Sequence, residues 1–246
     1  MSRSLGAIDF LQQLVPDVLA VLIALLTQLG AIWFAGVVLL GVSLYHDREQ
    51  AIVIGSLLIA GTSSWRFIKE VYVLPRPDQP LVDPETLPVV VQQLFELAVV
   101  NAGPGFPSGH AVTTTVLYFM LAMYLPVSTR LRRYLAATSL VALVGFTRIT
   151  LGVHYLVDVV VGAMLGHTLV FAFLVVSRRT DGERAVVAIT AAVVLATLNL
   201  GANLVVDPVN PRDPVLLLAA VGVYVWWRTR VVETVRPIPA GSVTND

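Results

Sequence analysis

HYLVDVVVGAMLGHTLVFAFLVV, residues 154–176, is the stretch whose reading decides the fold class. A bilayer core of about 30 Å takes about 20 apolar residues in helical form, and this run supplies them. Its polar residues cluster at one end: His154 opens the run and Asp158 follows four positions later, on the same face if the helix begins at His154. An ionisable pair inside an apolar helix is costly and needs a polar partner. The stretch therefore reads as a membrane span with chemistry at its start.

The same reading repeats outward along the chain. Apolar runs cover residues 8–29, 31–45, 51–73, 109–125, 134–149, 154–176, 185–205 and 214–227. Hydrophobic residues make up 57% of the 246 positions and charged residues only 13%. With a mean hydropathy of +0.81, the chain holds more apolar surface than a soluble single-domain core of this size hides. The expected fold is all-α, a polytopic transmembrane helical bundle forming one membrane domain over residues 1–246. The 8–29 run is the exception in kind: Asp9, Gln12, Gln13, Pro16 and Asp17 crowd its first half, so it reads as either an interfacial helix or a first span. Residues 1–6 lack the pattern of a secretory signal, so the first helix is expected to remain in the mature chain.

Balanced charge, 16 basic against 16 acidic residues, leaves no basic excess for nucleic acid. Cysteine is absent, which removes disulfides, thiolate metal sites and a cysteine nucleophile. Arginine placement orients the bundle. Arg48, then Arg130, Arg132 and Arg133, then Arg178, Arg179 and Arg184, then Arg228, Arg230 and Arg236 all fall on one side if the seven later spans alternate. By the positive-inside rule that side is cytoplasmic. Apart from Arg212, the cations expected on the other side are Lys69, the only lysine of the chain, with Arg76 and Arg148.

These three cations accompany two further polar clusters at helix ends predicted to share one level. Pro107-Ser108-Gly109-His110 reads as a turn feeding a helix, with Ser108 at the N-cap and the N–H groups of Ser108, Gly109 and His110 directed at the cleft. Arg148, His154 and Asp158 follow at spacings of six and four. In the second group the carboxylate accepts from one imidazole nitrogen and leaves the other as nucleophile or base. Each cluster has a plainer reading: a His–Asp pair stitching two helices, an ordinary capped helix, and cationic side chains snorkelling to headgroups. Taken together, three cations and an amide cradle around two histidines suit a group with two or three negative oxygens, a phosphate above all.

With those residues in view, the chain resembles the type 2 phosphatidic acid phosphatase superfamily of integral membrane lipid phosphatases, relatives of the vanadium haloperoxidases and glucose-6-phosphatases. The family pattern K-x6-R-P, P-S-G-H, S-R-x5-H-x3-D is met by Lys69–Arg76–Pro77, Pro107–Ser108–Gly109–His110 and Thr147–Arg148–His154–Asp158, in order. The one departure is Thr147 in place of serine, which keeps the hydroxyl. The resemblance implies a six-helix core, five of whose helices come from residues 31–176, plus two C-terminal helices and a cytoplasmic tail in 177–246. It implies that His154 attacks phosphorus, Asp158 holds its ring, and His110 protonates the leaving oxygen and then activates water. Lys69, Arg76, Arg148, Ser108 and Gly109 would bind the phosphoryl oxygens, with no metal and no cofactor. The expected partners are the bilayer and a lipid phosphate at its extracytoplasmic face: phosphatidic acid, phosphatidylglycerol phosphate or a polyprenyl diphosphate. A phosphotransferase using the same phosphohistidine, and a silent phosphate-binding membrane protein, are the rival readings.

Other polar residues read more plainly. His167 is expected to be a packed or hydrogen-bonded residue of its helix rather than a proton relay, and His46 solvated at a helix end. Gly162 and Gly166, four apart, form a face for close helix packing. Glu70 either tunes Lys69 or pairs with Arg66. The long 78–105 connection carries an apolar portion, 89–100, that could cover the cleft or dip into headgroups.

Overall fold

A computed structural model of the chain describes residues 5–99, 103–179, 183–206 and 212–235. The helices in chain order are α1 (Ala7–Leu14), α2 (Ala20–Leu26), α3 (Ile32–Tyr45), α4 (Arg48–Val71), α5 (Val89–Val99), α6 (Gly109–Tyr124), α7 (Arg130–Thr150), α8 (Leu156–Arg179), α9 (Arg184–Val206) and α10 (Arg212–Val235). Tight 3-10 turns at Asp17–Leu19 and Thr27–Gly30 flank α2, and no strand occurs among the described residues. Side-chain caps fix several starts: Asp47 accepts from the N–H groups of Glu49 and Gln50 to begin α4, and Thr129 accepts from that of Arg132 to begin α7.

The core lies where α4, α6 and α9 meet. Val53, Ile54, Leu57 and Leu58 of α4 pack with Val112, Val116, Leu117 and Met120 of α6 and with Ala185, Ala188 and Ile189 of α9. One face of α9 explains the close approach to α4: Ala185, Ala188, Ala192 and Ala196 are all buried at helical spacing. Glycines do the same between α6 and α8. A Cβ at Gly162 would lie 2.5 Å from the Ser108 carbonyl oxygen, and one at Gly166 would lie 2.7 Å from Thr115 Cβ. The small-residue face predicted for these glycines is therefore a packing face.

Among the described residues α4, α8 and α9 are long and apolar enough to cross a membrane, and α3 is a shorter apolar helix. Large apolar side chains face outward on these elements, among them Leu40, Met164, Phe171 and Leu198, and Leu218 continues the pattern on α10. In hydrocarbon such faces carry no penalty.

The 8–29 run is not one straight helix. Its two halves, Ala7–Leu14 and Asp17–Gly30, bend by 95°, as Pro16 and the polar first half favour. Both halves pack about the C-terminal end of α7. Ile8 sits with Ala111, Ile149 and Val159, while Ala20, Ile23 and Ala24 sit with Phe95 and Ala98 of α5 and with Leu151 and Val153. The apolar portion of the long connection is thus helix α5, packed on α2; residues 100–102 lie outside the described residues. A second difference bears on the site: the sixth apolar run becomes a helix only at Leu156. His154 stands in the turn before α8, so the predicted single helical face shared with Asp158 is not formed.

Candidate active site

The turn into α6 is built from the residues that break regular structure before it. The Gly105 N–H bonds the Leu74 carbonyl at 2.7 Å, and the Phe106–Pro107 peptide is cis. Ser108 then caps the helix, its Oγ accepting from Ala111 N at 3.5 Å. Its own N–H donates to the Asp158 carbonyl at 2.9 Å, which locks the start of α6 to the start of α8. The expectation that this N–H points free at the cleft is therefore corrected: the approach of α8 consumes it. At Gly109 a side chain would force the packing to shift, since a Cβ there would lie 2.9 Å from the Trp65 ring. That ring in turn lies 5.2 Å from Lys69 Nζ and 5.7 Å from the Arg66 guanidinium, close enough for cation–π attraction.

A cleft of about 400 Å³ opens at this level. Of the predicted residues, Lys69, Arg76, Gly109, His110 and His154 line it. Ser108, Arg148 and Asp158 do not; they are fully buried behind it. Main-chain carbonyls hold the cations in place. Lys69 Nζ donates to Pro104 O at 2.5 Å, Arg76 Nε to Gly103 O at 3.1 Å, and Arg148 Nη1 to Ala98 O at 2.9 Å. Arg148 also reaches Thr27 Oγ1 at 3.3 Å, yet among the described residues nothing accepts from its Nε or Nη2. A fully buried cation so poorly satisfied is expensive.

The two nitrogens of His154 can be told apart. Arg76 Nη1 stands 3.2 Å from His154 Nε2 while also donating to Val153 O at 2.9 Å. A guanidinium has no acceptor, so Nε2 is the lone-pair nitrogen and the ring proton is on Nδ1. Nδ1 faces Asp158 Oδ2 at 3.5 Å. Asp158 also caps a helix, because its Oδ2 accepts from Tyr155 N at 3.0 Å, the back-bond of a capping box at the start of α8. That bond draws the carboxylate toward the helix and accounts for the long His–Asp separation.

Gly152, at φ +69, lets the chain turn from α7 toward His154; a Cβ there would sit 1.8 Å from Gln79 O. The nearby α1 is tied in by Gln12, whose Nε2 donates to Gln79 O and Thr150 O. Thr147 donates its hydroxyl to Val144 O, inside α7. Among the described residues no group of three His, Asp or Glu side chains is placed to hold a metal ion.

Sequence reasoning missed a third cluster. Arg66, on the cleft wall one turn before Lys69, bonds Asp213 through Nε at 2.6 Å instead of pairing with Glu70. Asp213 is fully buried at the start of α10 and also accepts from Asn199 Nδ2 of α9 at 2.9 Å. Two buried polar residues in otherwise apolar helices were the available signal.

Residues 50–181 match the family model of the PAP2 superfamily. The chain is 30% identical over 156 residues to phosphatidylglycerophosphatase B of Bacillus subtilis (strain 168), across 59% of this chain and 69% of that protein. It is also similar to the crystal structure of the first transmembrane PAP2 type phosphatidylglycerolphosphate phosphatase from Bacillus subtilis. That likeness has a TM-score of 0.55 at 25% identity, over 73% of this chain and 85% of the other. The family match ends before α9, so the C-terminal pair α9–α10 lies outside it.

Proposed function

We propose, for a chain that belongs to the PAP2 superfamily and is a multi-pass membrane lipid phosphatase, that hydrolysis runs through a phosphohistidine on His154 without a metal ion. The observation that carries this reading is the sorting of the His154 nitrogens: Nε2 presents its lone pair beside Arg76 at the cleft, and Nδ1–H faces Asp158.

In the first step His154 Nε2 forms a bond to phosphorus as the bond from phosphorus to the leaving oxygen breaks. His110, on the cleft wall, gives its proton to that oxygen. The positive charge that develops on the His154 ring is met by the Asp158 carboxylate through Nδ1–H. In the second step His110, now neutral, takes a proton from water, whose oxygen attacks phosphorus and breaks the P–N bond. Inorganic phosphate leaves, and both histidines return to their starting states. Lys69, Arg76 and the N-terminus of α6 at Gly109 neutralise the phosphoryl oxygens from the wall, with Arg148 acting from behind and Ser108 fixing the turn. These cations supply the charge that a metal would otherwise supply.

The arginine-bearing turns at the far ends of α3, α6 and α8 support a cleft on the extracytoplasmic side, by the positive-inside rule. The substrate is a lipid phosphomonoester or diphosphate, with phosphatidylglycerol phosphate favoured by the nature of the similar Bacillus proteins.

The test is phosphate release by detergent-purified protein from phosphatidic acid, phosphatidylglycerol phosphate and a polyprenyl diphosphate, with EDTA present and His154→Ala in parallel. Release that survives EDTA and is lost in the variant is expected; release that needs added metal, or persists in the variant, overturns the mechanism. Because the chain has no cysteine, a single Gln79→Cys variant reports the face. Labelling of intact cells by a membrane-impermeant maleimide is expected, and labelling only after lysis contradicts the assignment.

A further inference from the structure

The C-terminal pair of helices has no part in the three motifs, yet α10 reaches the site. Val215 and Leu216 line the catalytic cleft opposite the cations. Asp213 pins this end of α10 in place through its bonds to Arg66 and Asn199.

A second hollow, an apolar groove of about 600 Å³, runs between α3, α4 and α10. It shares Ile32, Thr62 and Leu216 with the cleft, so the two spaces adjoin there. From Ile32 the groove follows α3 to Leu44 and ends beside Arg48. At 1.5 Å per residue that path is about 18 Å long, the reach of one long hydrocarbon chain. Gly36 lines it about a third of the way along, and a Cβ added there would meet nothing within 4 Å.

We infer that this groove is the tail subsite of the enzyme: one acyl or prenyl chain of the lipid substrate lies between α3, α4 and α10 while its phosphate occupies the cleft. The inference rests on the lipid phosphatase reading above and adds to it the route of the tail. It also gives α9–α10 a role, since α10 forms one wall of the groove and the buried Asp213 holds that wall against α4. Because bilayer hydrocarbon is as apolar as the groove, the groove selects by the length and shape of the tail it admits and not by hydrophobic gain or by headgroup. The larger hollow between α4, α8 and α9 shares no lining residue with the cleft and serves as the internal control.

The experiment compares kcat/KM for dioleoyl and dibutyryl phosphatidic acid in the parent, in Gly36→Phe, and in Ala172→Phe of the control groove. Gly36→Phe is expected to lower the dioleoyl value by about tenfold or more, because a tail forced out of the groove holds its phosphate out of register with the catalytic groups. The dibutyryl value, whose tails stop short of Gly36, is expected to hold within about twofold. Ala172→Phe should change neither. Equal losses on both lipids, or no loss on either, overturn the tail subsite while leaving the phosphatase reading in place. A parent inert on every lipid phosphate overturns both.

A measurement independent of any variant is photolabelling of the parent with a phosphatidic acid carrying a diazirine at the end of one acyl chain. Label concentrated on peptides of α3 and α10, and removed by excess dioleoyl phosphatidic acid, supports the inference. Label spread over α8 and α9 contradicts it.

Discussion

On the cleft wall, Lys69, Arg76, Gly109, His110 and His154 border open space; immediately behind them Ser108, Arg148 and Asp158 are wholly enclosed. The two groups are indistinguishable as motif letters, but their hydrogen bonds differ in kind. Wall side chains lean on loop carbonyls and keep an atom toward the cleft. Two of the enclosed residues are engaged in construction: Ser108 joins α6 to α8, and Asp158 caps α8 while facing His154. A motif can thus mix groups that meet the substrate with groups that hold those in place.

If that division is right, removing a wall group costs rate and spares the fold. His110→Ala is expected to lower phosphate release by about a hundredfold to ten-thousandfold, the range for a lost general acid, with an unchanged unfolding midpoint. A matching fall in thermal stability would break the division. Arg148→Met sharpens it from the other side. Because two of its nitrogens lack acceptors among the described residues, an apolar residue of similar length should leave the unfolding free energy unchanged or higher. Activity should fall by about a hundredfold, the value of a lost charge-assisted contact near phosphorus.

Smaller effects belong to the construction. Gly109→Ala pushes a methyl toward the Trp65 ring and is expected to cost about 1–3 kcal/mol of stability, with a shift in tryptophan emission. Ser108→Ala removes the α6 cap and should cost about 1 kcal/mol, read by thermal or denaturant unfolding, with release reduced less than in His110→Ala. A loss of activity as deep as that of His110→Ala would move Ser108 to the wall.

Much of this was legible in the sequence because it is local. Apolar runs located α3, α4 and α6 through α9 within about four residues and found the start of α10, which continues eight residues past its run to Val235, and the spacings from Lys69 to Asp158 brought the right helix ends together. What could not be read is set by long-range packing. Nothing near Ser108 announces that its N–H will be taken by the Asp158 carbonyl, fifty positions on. The start of α8 was placed two residues early because Tyr155 and His154 continue the apolar pattern, whereas the Asp158 cap decides the boundary. The Arg66–Asp213–Asn199 cluster joins segments 147 and 14 positions apart. It is foreseeable only as buried polarity in search of a partner. The bend in the 8–29 run follows from Pro16 and from the polar face of α1, both visible, but its docking against α7 is not.

The central claim is that His154 Nε2 becomes bonded to phosphorus. Its direct test is to mix the enzyme with a lipid phosphate labelled in the terminal phosphoryl group, quench within the turnover time in alkali, and map the label by peptide. Protein-bound label that is stable in base, lost in acid, confined to the peptide holding His154 and absent from His154→Ala is the predicted result. Rapid turnover with no labelled protein, or label on any other residue, would contradict it.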